Sequence, residues 1–468
     1  MPIILPPSDS QDALVDGIAQ ALAGDGTLLL KPGTHFTRPG VNKHIAVGAS
    51  GLRIGSTGPS PLPPPSAVIG VTQAVIRRPD HALSASTPQF NYGLSFIPTE
   101  PTPDEIAQAT WKTFTDPGGD TFEFAVVMRG SIQISRLLID CNMQNQGAES
   151  LPPHAAEHSA MLAFGGFRYS VTQQATPRFM YVGFESVAVD HLGFINGGFA
   201  DDFWVNYPGG PFYPQINQVS ITNVSSGPRL NRHRATLSFS GLAQRIIIED
   251  ANVQSLNAEH DHSWKDAPRR EEEFSKSIWS LQRIVADTMN FAMVGKVMTM
   301  EASDLTAGSM FDISYTGGTI ANSHLQVAQG EDARFFLLDG MHFDGVNWRL
   351  PVDNSGAVSG ITLACRFNDT CEATFTKNTF VAGVKEPRGQ LINSTYSMGE
   401  TGNKVALTFS KCTFDRLFGT GLPVLPDSAV ARVNERGTWT FDGADIGNRP
   451  LERALPKSRR PDVILILR

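Results

Sequence analysis

The sequence is poor in cysteine and contains no long apolar run. Its 468 residues include four cysteines, at positions 141, 365, 371 and 412, and their spacing matches no paired metal-ligand motif. We therefore expect buried thiols, or a bridge between Cys365 and Cys371 if the protein is exported. No stretch approaches the ~18 consecutive apolar residues of a membrane-spanning helix, so we expect no membrane partner.

The chain also lacks an excess of positive charge and a leader sequence. Its 38 lysines and arginines and 46 aspartates and glutamates give a net charge of −8, whereas a nucleic-acid-binding domain is expected to be basic. Residues 1–8 carry neither the charged region nor the apolar core of a signal peptide. We expect no nucleic-acid partner, and a chain that is either cytoplasmic or exported after losing its signal.

A short apolar phrase recurs along most of the sequence. Two apolar residues lie at i and i+2, a polar turn follows, and another apolar residue lies at i+7. The complete copies are Ile132/Ile134/Ile139, Val187/Val189/Phe194, Ile246/Ile248/Val253 and Met298/Met300/Leu305. The looser copies are Ile320/Leu325, Leu338/Phe343, Phe375/Phe380, Leu407/Phe409/Phe414 and Phe441/Ile446. In all nine copies the last two anchors are five residues apart, which predicts a strand, a tight turn and a second strand.

Strand geometry indicates how these phrases pack. Residues at i and i+2 of a strand face the same side, so each phrase directs its anchors into one interior. A single unit cannot bury its apolar face alone, whereas stacked units form a continuous core. A β-sandwich is the alternative, but a sandwich does not require the same interval nine times. The pattern therefore predicts an all-β solenoid.

Two of the phrases carry a resemblance to a known group of proteins. Residues 373–380 (Ala-Thr-Phe-Thr-Lys-Asn-Thr-Phe) and 407–414 (Leu-Thr-Phe-Ser-Lys-Cys-Thr-Phe) are similar to the second strand, sharp turn and third strand of the right-handed parallel β-helix proteins of the pectin-lyase-like superfamily. The start of the chain resembles this group too, because Asp12–Ala23 has an apolar helical stripe and a candidate N-cap at Asp9 or Ser10. In the group such a helix caps the solenoid. The resemblance implies the fold and specifies function poorly.

We expect one β-helix domain over residues 1–450, followed by a C-terminal tail at 451–468. Residues 10–24 are expected to form the cap helix. Residues 56–112 are rich in proline, with a short helical segment near the end, and are expected to leave the coils as an excursion. Residues 259–276 form a charged insertion loop. The apolar end of the tail is expected to cover the open end of the solenoid or to pair with another subunit.

Ionisable residues recur in three consecutive predicted coils, near the first strand of each coil. In the similar proteins the active site usually lies there, on the outer surface. Neighbouring coils are about 4.8 Å apart, so residues at the same angular position come together. The expected patch comprises Asp201, Asp202, Arg232, His233, Arg234, Glu259, Asp261 and Lys265.

This patch fits the cleavage of glycosidic bonds. The reaction needs one carboxylic acid and a second carboxylate, about 5–5.5 Å apart in retaining enzymes and ~6.5–9.5 Å apart in inverting ones. Repulsion between stacked carboxyls would raise one pKa, as a general acid requires. The candidate catalytic residues are Asp201, Asp202, Glu259 and Asp261. The candidate substrate-binding residues are Trp204, Arg232, His233, Arg234, His262, Trp264 and Lys265.

The pair Asp201-Asp202 also resembles the Asp-Asp motif of the polygalacturonase-type hydrolases. The chain departs from that family, however, because it has no Asn-Thr-Asp triplet one coil earlier, no Gly-His-Gly and no Arg-Ile-Lys. We therefore predict a hydrolase or glycosyl-transferring enzyme acting on a poly- or oligosaccharide, and not a polygalacturonase. No cofactor is expected. The run at 259–262, Glu-His-Asp-His, is expected to be a solvated loop and not a metal site, because neighbouring residues of a strand face opposite sides.

A polysaccharide lyase acting on a uronic-acid polymer is the second interpretation. A lyase uses a base next to a carboxylate that arginine, lysine or Ca²⁺ has neutralised. The patch is expected to be locally basic because of Arg229, Arg232, Arg234, Lys265, Arg269 and Arg270. Asp190, Glu249 and Glu301 follow the middle anchors of their phrases and could align as a Ca²⁺-binding ladder, although outward-facing acids at turns are the simpler explanation.

The third interpretation is a structural or glycan-binding β-helix of the tailspike or adhesin kind. Thr374, Thr408 and Thr440 hold the same place in three phrases and are expected to form a ladder on the outside of the stack. An interface along that side, together with the apolar tail, would fit a homo-oligomer, most simply a trimer.

Overall fold

The computed structural model groups the chain into two compact units, Met1–Glu273 (unit 1) and Phe274–Arg468 (unit 2). The boundary falls inside the charged segment predicted at 259–276. The structure describes residues 1–41, 43–59, 72–83, 91–115, 119, 121–147, 159–171, 176–198, 200–205, 216–230, 235–239, 243–259, 278–295, 297–315, 318–321, 324–327, 334–337, 341–350, 361–365, 370–382, 392–394, 404–415, 436–442 and 463–467.

Unit 1 begins with one short strand and a helix and continues almost entirely as strands. The helices are α1 (Gln11–Ala23) and α2 (Pro103–Gln108). The strands are β1 (Ile3–Leu5), β2 (Thr27–Leu30), β3 (Gly33–Phe36), β4 (Gly40–Val41), β5 (Ile45–Val47), β6 (Leu52–Ser56), β7 (Ala74–Arg77), β8 (Asn91–Tyr92), β9 (Leu94–Pro98), β10 (Lys112–Thr115), β11 (Thr121–Arg129), β12 (Ile132–Asp140), β13 (Leu162–Phe164), β14 (Phe167–Val171), β15 (Arg178–Ile195), β16 (Phe203–Val205), β17 (Ile216–Ser226), β18 (Leu237–Phe239) and β19 (Ala243–Glu259).

Unit 2 consists of strands in the part of it that the structure describes. They are β20 (Ile278–Gly295), β21 (Val297–Glu301), β22 (Asp304–Tyr315), β23 (Gly318–Ala321), β24 (His324–Val327), β25 (Arg334–Leu337), β26 (Met341–Asp344), β27 (Asn347–Leu350), β28 (Ile361–Cys365), β29 (Thr370–Thr376), β30 (Thr379–Ala382), β31 (Ile392–Ser394), β32 (Lys404–Ser410), β33 (Thr413–Asp415), β34 (Arg436–Asp442) and β35 (Val463–Leu467).

Most strands of unit 1 stack in parallel as three sheets, so the chain is an all-β solenoid of the parallel β-helix type, as predicted. Sheet A contains β1, β2, β6 and the first halves of the coil segments in β12, β15, β17 and β19. Sheet B contains β3, β7 and the second halves of those segments. Sheet C contains β5, β9, β13, β16, β18 and the end of β19.

The corner between sheets A and B explains the odd five-residue interval of the phrase. In one uninterrupted strand, residues five apart face opposite sides. In these coils one residue at the corner adopts the left-handed conformation, with φ between 48° and 61°, and the second anchor therefore faces inward again. The corner residues are Arg136, His191, Asn223 and Asp250 in unit 1, and Arg283, Ala302, Gly345, Lys377 and Lys411 in unit 2.

The apolar anchors form rows along the inside of unit 1. Ile54, Ile134, Val189, Ile221 and Ile248 are in register on successive strands of sheet A, and each is at most 1% exposed. Burying each of these side chains contributes about 1.5–3 kcal/mol. Sheet C carries an inner row of aromatic rings, Phe96, Phe164, Phe203 and Phe239, with centroids 5.1–6.1 Å apart.

Unit 2 repeats this arrangement and corrects one phrase. Phe343 is in register with Ile320 and Phe375, and Trp348 is in register with Leu325. The phrase is therefore Phe343/Trp348, and the predicted pair Leu338/Phe343 is wrong. The sequence pattern also missed one coil, whose anchors are Leu281 and Ala286. Leu281 is in register with Met300, and Ala286 is in register with Leu305. Its closing anchor, alanine, is too small to mark the pattern.

The N-terminal helix is confirmed. Ser10 is the N-cap, and its hydroxyl accepts a hydrogen bond of 3.3 Å from the backbone N–H of Asp12. Leu14, Ile18 and Ala21 lie on the buried stripe of α1, which packs against β1, β2 and β3 at the start of unit 1. The helix thereby covers apolar surface that the first strands would otherwise expose to water.

The predicted excursion at 56–112 is interrupted by strands of the coils. Residues 74–77 form β7 of sheet B, and residues 94–98 form β9 of sheet C. The short helix in this region is α2, which is shorter than expected and carries a capping box between Thr102 and Glu105. Beside the coils, β10, β11, β15 and β14 pair in that order as a side sheet with antiparallel outer strands.

The C-terminal apolar segment belongs to the stack of unit 2. Strand β35 pairs in parallel with β34, and Leu467 is in register with Phe441. The three threonines predicted as a ladder, Thr374, Thr408 and Thr440, are also in register. Within the described residues, no helix is long and apolar enough to cross a membrane.

Candidate functional site

Asp201 and Asp202 lie in unit 1 on the turn that leads into β16, where sheet B gives way to sheet C. Both side chains are buried, with relative exposures of 4% and 1%. Neither side chain is therefore exposed on the outer surface, where the active site of the similar proteins usually lies. They also have different partners, because the backbone directs consecutive residues to different sides.

Asp202 is the acid of a buried ion pair with Arg229. The Cys141 thiol donates a hydrogen bond of 3.2 Å to Oδ1 of Asp202. Burial raises the pKa of the Asp202 carboxyl, and the charge of Arg229 opposes this effect. A carboxylate held by two partners in the interior stabilises the turn and is a poor candidate for proton transfer to a substrate.

The Asp202 side chain is also enclosed sterically. A Cβ atom added to Gly197 would lie 2.6 Å from both carboxylate oxygens of Asp202 and 2.7 Å from a terminal nitrogen of Arg229. Real Cβ atoms do not come so close to other heavy atoms, so the position admits only glycine without a shift of the ion pair. The turn is therefore built around this pair.

A second buried arginine, Arg78, belongs to the same polar cluster. Its guanidinium donates to the backbone oxygens of Asn91 at 3.0 Å, Ser159 at 2.8 Å and Ala160 at 3.1 Å. Burial lowers the pKa of Arg78 to about 10, against the opposing influence of Cys141 and Asp202. Burial likewise raises the pKa of the Cys141 thiol well above its usual value, so this cysteine is a neutral hydrogen-bond donor.

Asp201 has a different environment from Asp202. Its Oδ1 accepts a hydrogen bond of 2.9 Å from the backbone N–H of Ala235, on the next coil. Burial raises the pKa of the Asp201 carboxyl to about 7. The Ala235 hydrogen bond, the charge of Arg229 and the Ser238 hydroxyl act in the opposite direction. Asp201 is therefore a buried carboxyl with a pKa near neutral pH.

An aromatic cluster lies on the outer side of sheet C. It includes Trp204, three residues after Asp201 in the chain. Trp204 packs with Tyr92, Ala160 and Ala163, and its ring centroid is 6.2 Å from that of Tyr92. The imidazole of His44 lies 5.6 Å from the Tyr92 ring and shares a hydrogen bond of 2.8 Å with the Ser95 hydroxyl. Trp204 is only 3% exposed, so the predicted sugar platform is a packed ring in this structure.

Glu259 ends β19 and lies far from Asp201. Phe203 is in register with Leu237, and Leu237 with Leu256, so Asp201 corresponds to position 254 two coils away. Five further residues of extended strand span about 16 Å. The backbone of Glu259 is therefore remote from that of Asp201. Its side chain lies outside the described part of the chain, so its role stays a prediction.

The remaining predicted site residues lie outside the described part of the chain. They are Asp261, Arg232, His233, Arg234, His262, Trp264 and Lys265. Their roles stay predictions. Two of the four cysteines are described with their side chains, Cys141 and Cys412, and both are free and buried, as expected.

The proposed carboxylate ladder at the A–B corner does not form. Asp190 is in register with Thr222, and Thr222 with Glu249, so a hydroxyl lies between the two acids. Asp190 accepts hydrogen bonds from the Thr222 hydroxyl at 2.8 Å and the Asn223 amide at 3.1 Å. Among the described residues, no group of three or more histidine, cysteine or acidic side chains is arranged to hold a metal ion.

Comparison with known proteins gives one distant structural similarity. No family model and no curated protein sequence matches the chain. Among solved structures, the chain is similar to PfbA, a surface adhesin of Streptococcus pneumoniae, at 10% identity and a TM-score of 0.35, over 95% of this chain and 91% of that one. Membership of the pectin-lyase-like superfamily stays a prediction, and a similarity of this size carries no argument about function.

Proposed function

We propose that the protein is a carbohydrate-active enzyme that cleaves or rearranges glycosidic bonds, with Asp201 as the residue that gives and takes the proton. The observation that carries this proposal is a carboxyl with a pKa of about 7 next to an aromatic cluster on sheet C. A general acid is most effective when its pKa lies near the working pH. Burial is the usual means of raising the pKa of a carboxyl to that range.

The neighbouring residues fit this role. The Ala235 N–H and the Ser238 hydroxyl hold the Asp201 carboxyl at the start of sheet C. Trp204, three residues further along the chain, belongs to the packed aromatic cluster beside this carboxyl. Asp202 cannot supply the second carboxylate while it is paired with Arg229. Asp261 therefore stays the predicted second acid from the sequence.

The first experiment is a cleavage assay on a glycan panel of neutral polymers, fructans and uronates, with the wild-type chain and Asp201→Asn. We expect new oligosaccharide products from the wild type and a loss of about 10²–10⁴-fold in turnover for D201N. Asp190→Asn is the matched control, because it removes an acid that is hydrogen-bonded at the A–B corner, and it should retain turnover within about twofold. Equal activity of D201N and D190N would remove Asp201 from the mechanism.

Glycan binding without cleavage is the second candidate function. The burial of Asp201, which limits contact between this carboxyl and a bound sugar, favours it. In that case the panel yields no products, and calorimetry with the same glycans detects binding by both the wild type and Asp201→Asn. An absorbance rise near 235 nm on a uronate would instead indicate the lyase reaction.

A further inference from the structure

Arg229 binds three acceptors on the turn that leads into β16, in Gly198, Ala200 and Asp202. One terminal nitrogen of this guanidinium donates to Oδ2 of Asp202. The other donates to the backbone oxygens of Gly198 at 3.0 Å and Ala200 at 2.9 Å. The arginine side chain is 1% exposed. A planar guanidinium can bind three acceptors in fixed directions, which an ammonium group cannot reproduce.

We infer that Arg229 is a positioning residue for Asp201, because it fixes the turn that carries this carboxyl and keeps a positive charge beside it. The inference rests on the proposed function and concerns the same site. Asp201 lies between two of the groups that Arg229 holds, Ala200 and Asp202. Movement of either would displace the Asp201 carboxyl from Ala235.

The charges around Asp201 come from few groups among the described residues. Arg229 and Asp202 act on it directly, with opposite signs. Arg78 and the neutral Cys141 thiol act on Asp202 from the preceding coils. Two arginines and one ionised aspartate leave one positive charge in this buried cluster, and ionisation of Asp201 balances it. Arg229 therefore favours the ionised form of Asp201, in opposition to burial.

This role differs from that of a merely structural ion pair. If Arg229 only held the fold together, its replacement would lower the stability of unit 1 and leave the titration of Asp201 in the folded protein unchanged. If Arg229 positions Asp201, its replacement moves that titration. The pH at which the Asp201 carboxyl loses its proton is therefore the decisive measurement.

The experiment follows the infrared band of protonated carboxyl groups in the full chain between pH 5 and pH 9. For each protein, the spectrum of a matching protein that also carries Asp201→Asn is subtracted, so that the difference reports Asp201 alone. Arg229→Gln should raise the Asp201 midpoint by about one pH unit or more, because an opposite charge within ~4–6 Å lowers a carboxyl pKa by 1–3 units. Arg229→Lys should raise the Asp201 midpoint by less. The lysine keeps the positive charge but cannot make the hydrogen bonds to all three acceptors. Arg178→Gln is the matched control: it breaks the ion pair with Glu123 in the side sheet and should leave the midpoint unchanged.

Folding of each variant is checked by circular dichroism, and a variant that does not fold is set aside. If R229Q does not fold, the Asp201 midpoint measured in R229K decides the question. An unchanged midpoint in the folded Arg229 variants overturns the inference, as does an equal shift in R178Q. The infrared titration needs no substrate. A wild-type chain that cleaves no glycan removes the proposed function, while the midpoint still decides whether Arg229 positions Asp201.

Discussion

The indole Nε1 of Trp348 donates a hydrogen bond of 2.8 Å to Oδ1 of Asn378 in the interior of unit 2. The Asn378 amide in turn donates to the backbone oxygens of Phe343 at 2.6 Å and Thr376 at 2.8 Å. Other coils place Leu137, Leu192 or another small or apolar residue at this corner. A buried amide is tolerated here because its oxygen and its nitrogen both have partners.

Asn378→Leu is expected to lower the free energy of unfolding by about 2 kcal/mol or more. It removes the acceptor of the Trp348 N–H and the donor to two carbonyl oxygens, and each buried polar group that loses its partner costs about 1–3 kcal/mol. Urea unfolding followed by circular dichroism measures the loss. A double-mutant cycle with Trp348→Phe should show coupling between the two positions. Strict additivity would show that the hydrogen bond contributes nothing.

Gly197→Ala is expected to destabilise unit 1 by roughly 1–3 kcal/mol, the usual cost of forcing atoms into a packed site. The new methyl group would lie 2.6 Å from the Asp202 oxygens, so the ion pair with Arg229 must shift. Thermal unfolding compares Gly197→Ala with Gly48→Ala. A Cβ atom added to Gly48 would lie 3.9 Å from its nearest neighbours, the side-chain atoms of Thr99. Equal melting temperatures for the two variants would contradict the close approach.

The stability of the protein should depend on pH through Asp201. Its pKa in the folded protein is about 7, above the usual value of about 3.9 in an unfolded chain. The folded state therefore binds more protons between these values, and the free energy of unfolding falls as the pH rises from about 4 to about 7. A shift of roughly three units corresponds to about 4 kcal/mol at most.

The measurement is urea unfolding of the wild type and Asp201→Asn at pH 5 and pH 8. The asparagine variant has no carboxyl to ionise at this position. The free energy of unfolding of the variant minus that of the wild type should therefore be larger at pH 8 than at pH 5. An equal difference at the two pH values would mean that Asp201 is not buried as described. The outcome does not depend on any activity.

Phe375→Ala is expected to cost about 3–5 kcal/mol of unfolding free energy, the usual range for a buried phenylalanine. The Phe375 ring stacks between Phe343 and Phe409, with centroids 4.7 and 4.8 Å apart. Its loss removes both contacts and leaves a cavity. Phe375→Leu fills more of the space and should cost clearly less. Denaturant unfolding of both variants tests the order, and a similar loss for the two would contradict tight stacking at this position.

The sequence predicts the coils well because the five-residue interval reflects backbone geometry. It fails where side-chain size hides the interval, as at Ala286, or where two intervals overlap at Phe343. It also fails at β7 and β9, because the proline-rich residues around them outweigh their short apolar segments.

The site is less predictable for a physical reason. Asp201 and Asp202 are adjacent, and the sequence cannot tell which partners each of two neighbours on a turn will meet. The partners that settle the matter, Cys141 and Arg229, lie 61 and 27 residues from Asp202 and belong to no recognisable spacing. Contacts between stacked coils depend on the register of strands, which the apolar pattern sets for the core and leaves open for the turns.

The left-handed corner between sheets A and B also restricts how such a chain can change length. A single residue deleted between Ile134 and Ile139 would turn every following side chain of that coil to the wrong side. The corner between sheets B and C requires no fixed number of residues: the connection has 21 residues after Asp140 and 7 after Ile195. In the coils that keep the left-handed corner, new loops, with whatever chemistry they carry, therefore arise away from it. Where that corner is absent, as between β6 and β7, sheets A and B are joined by 17 residues.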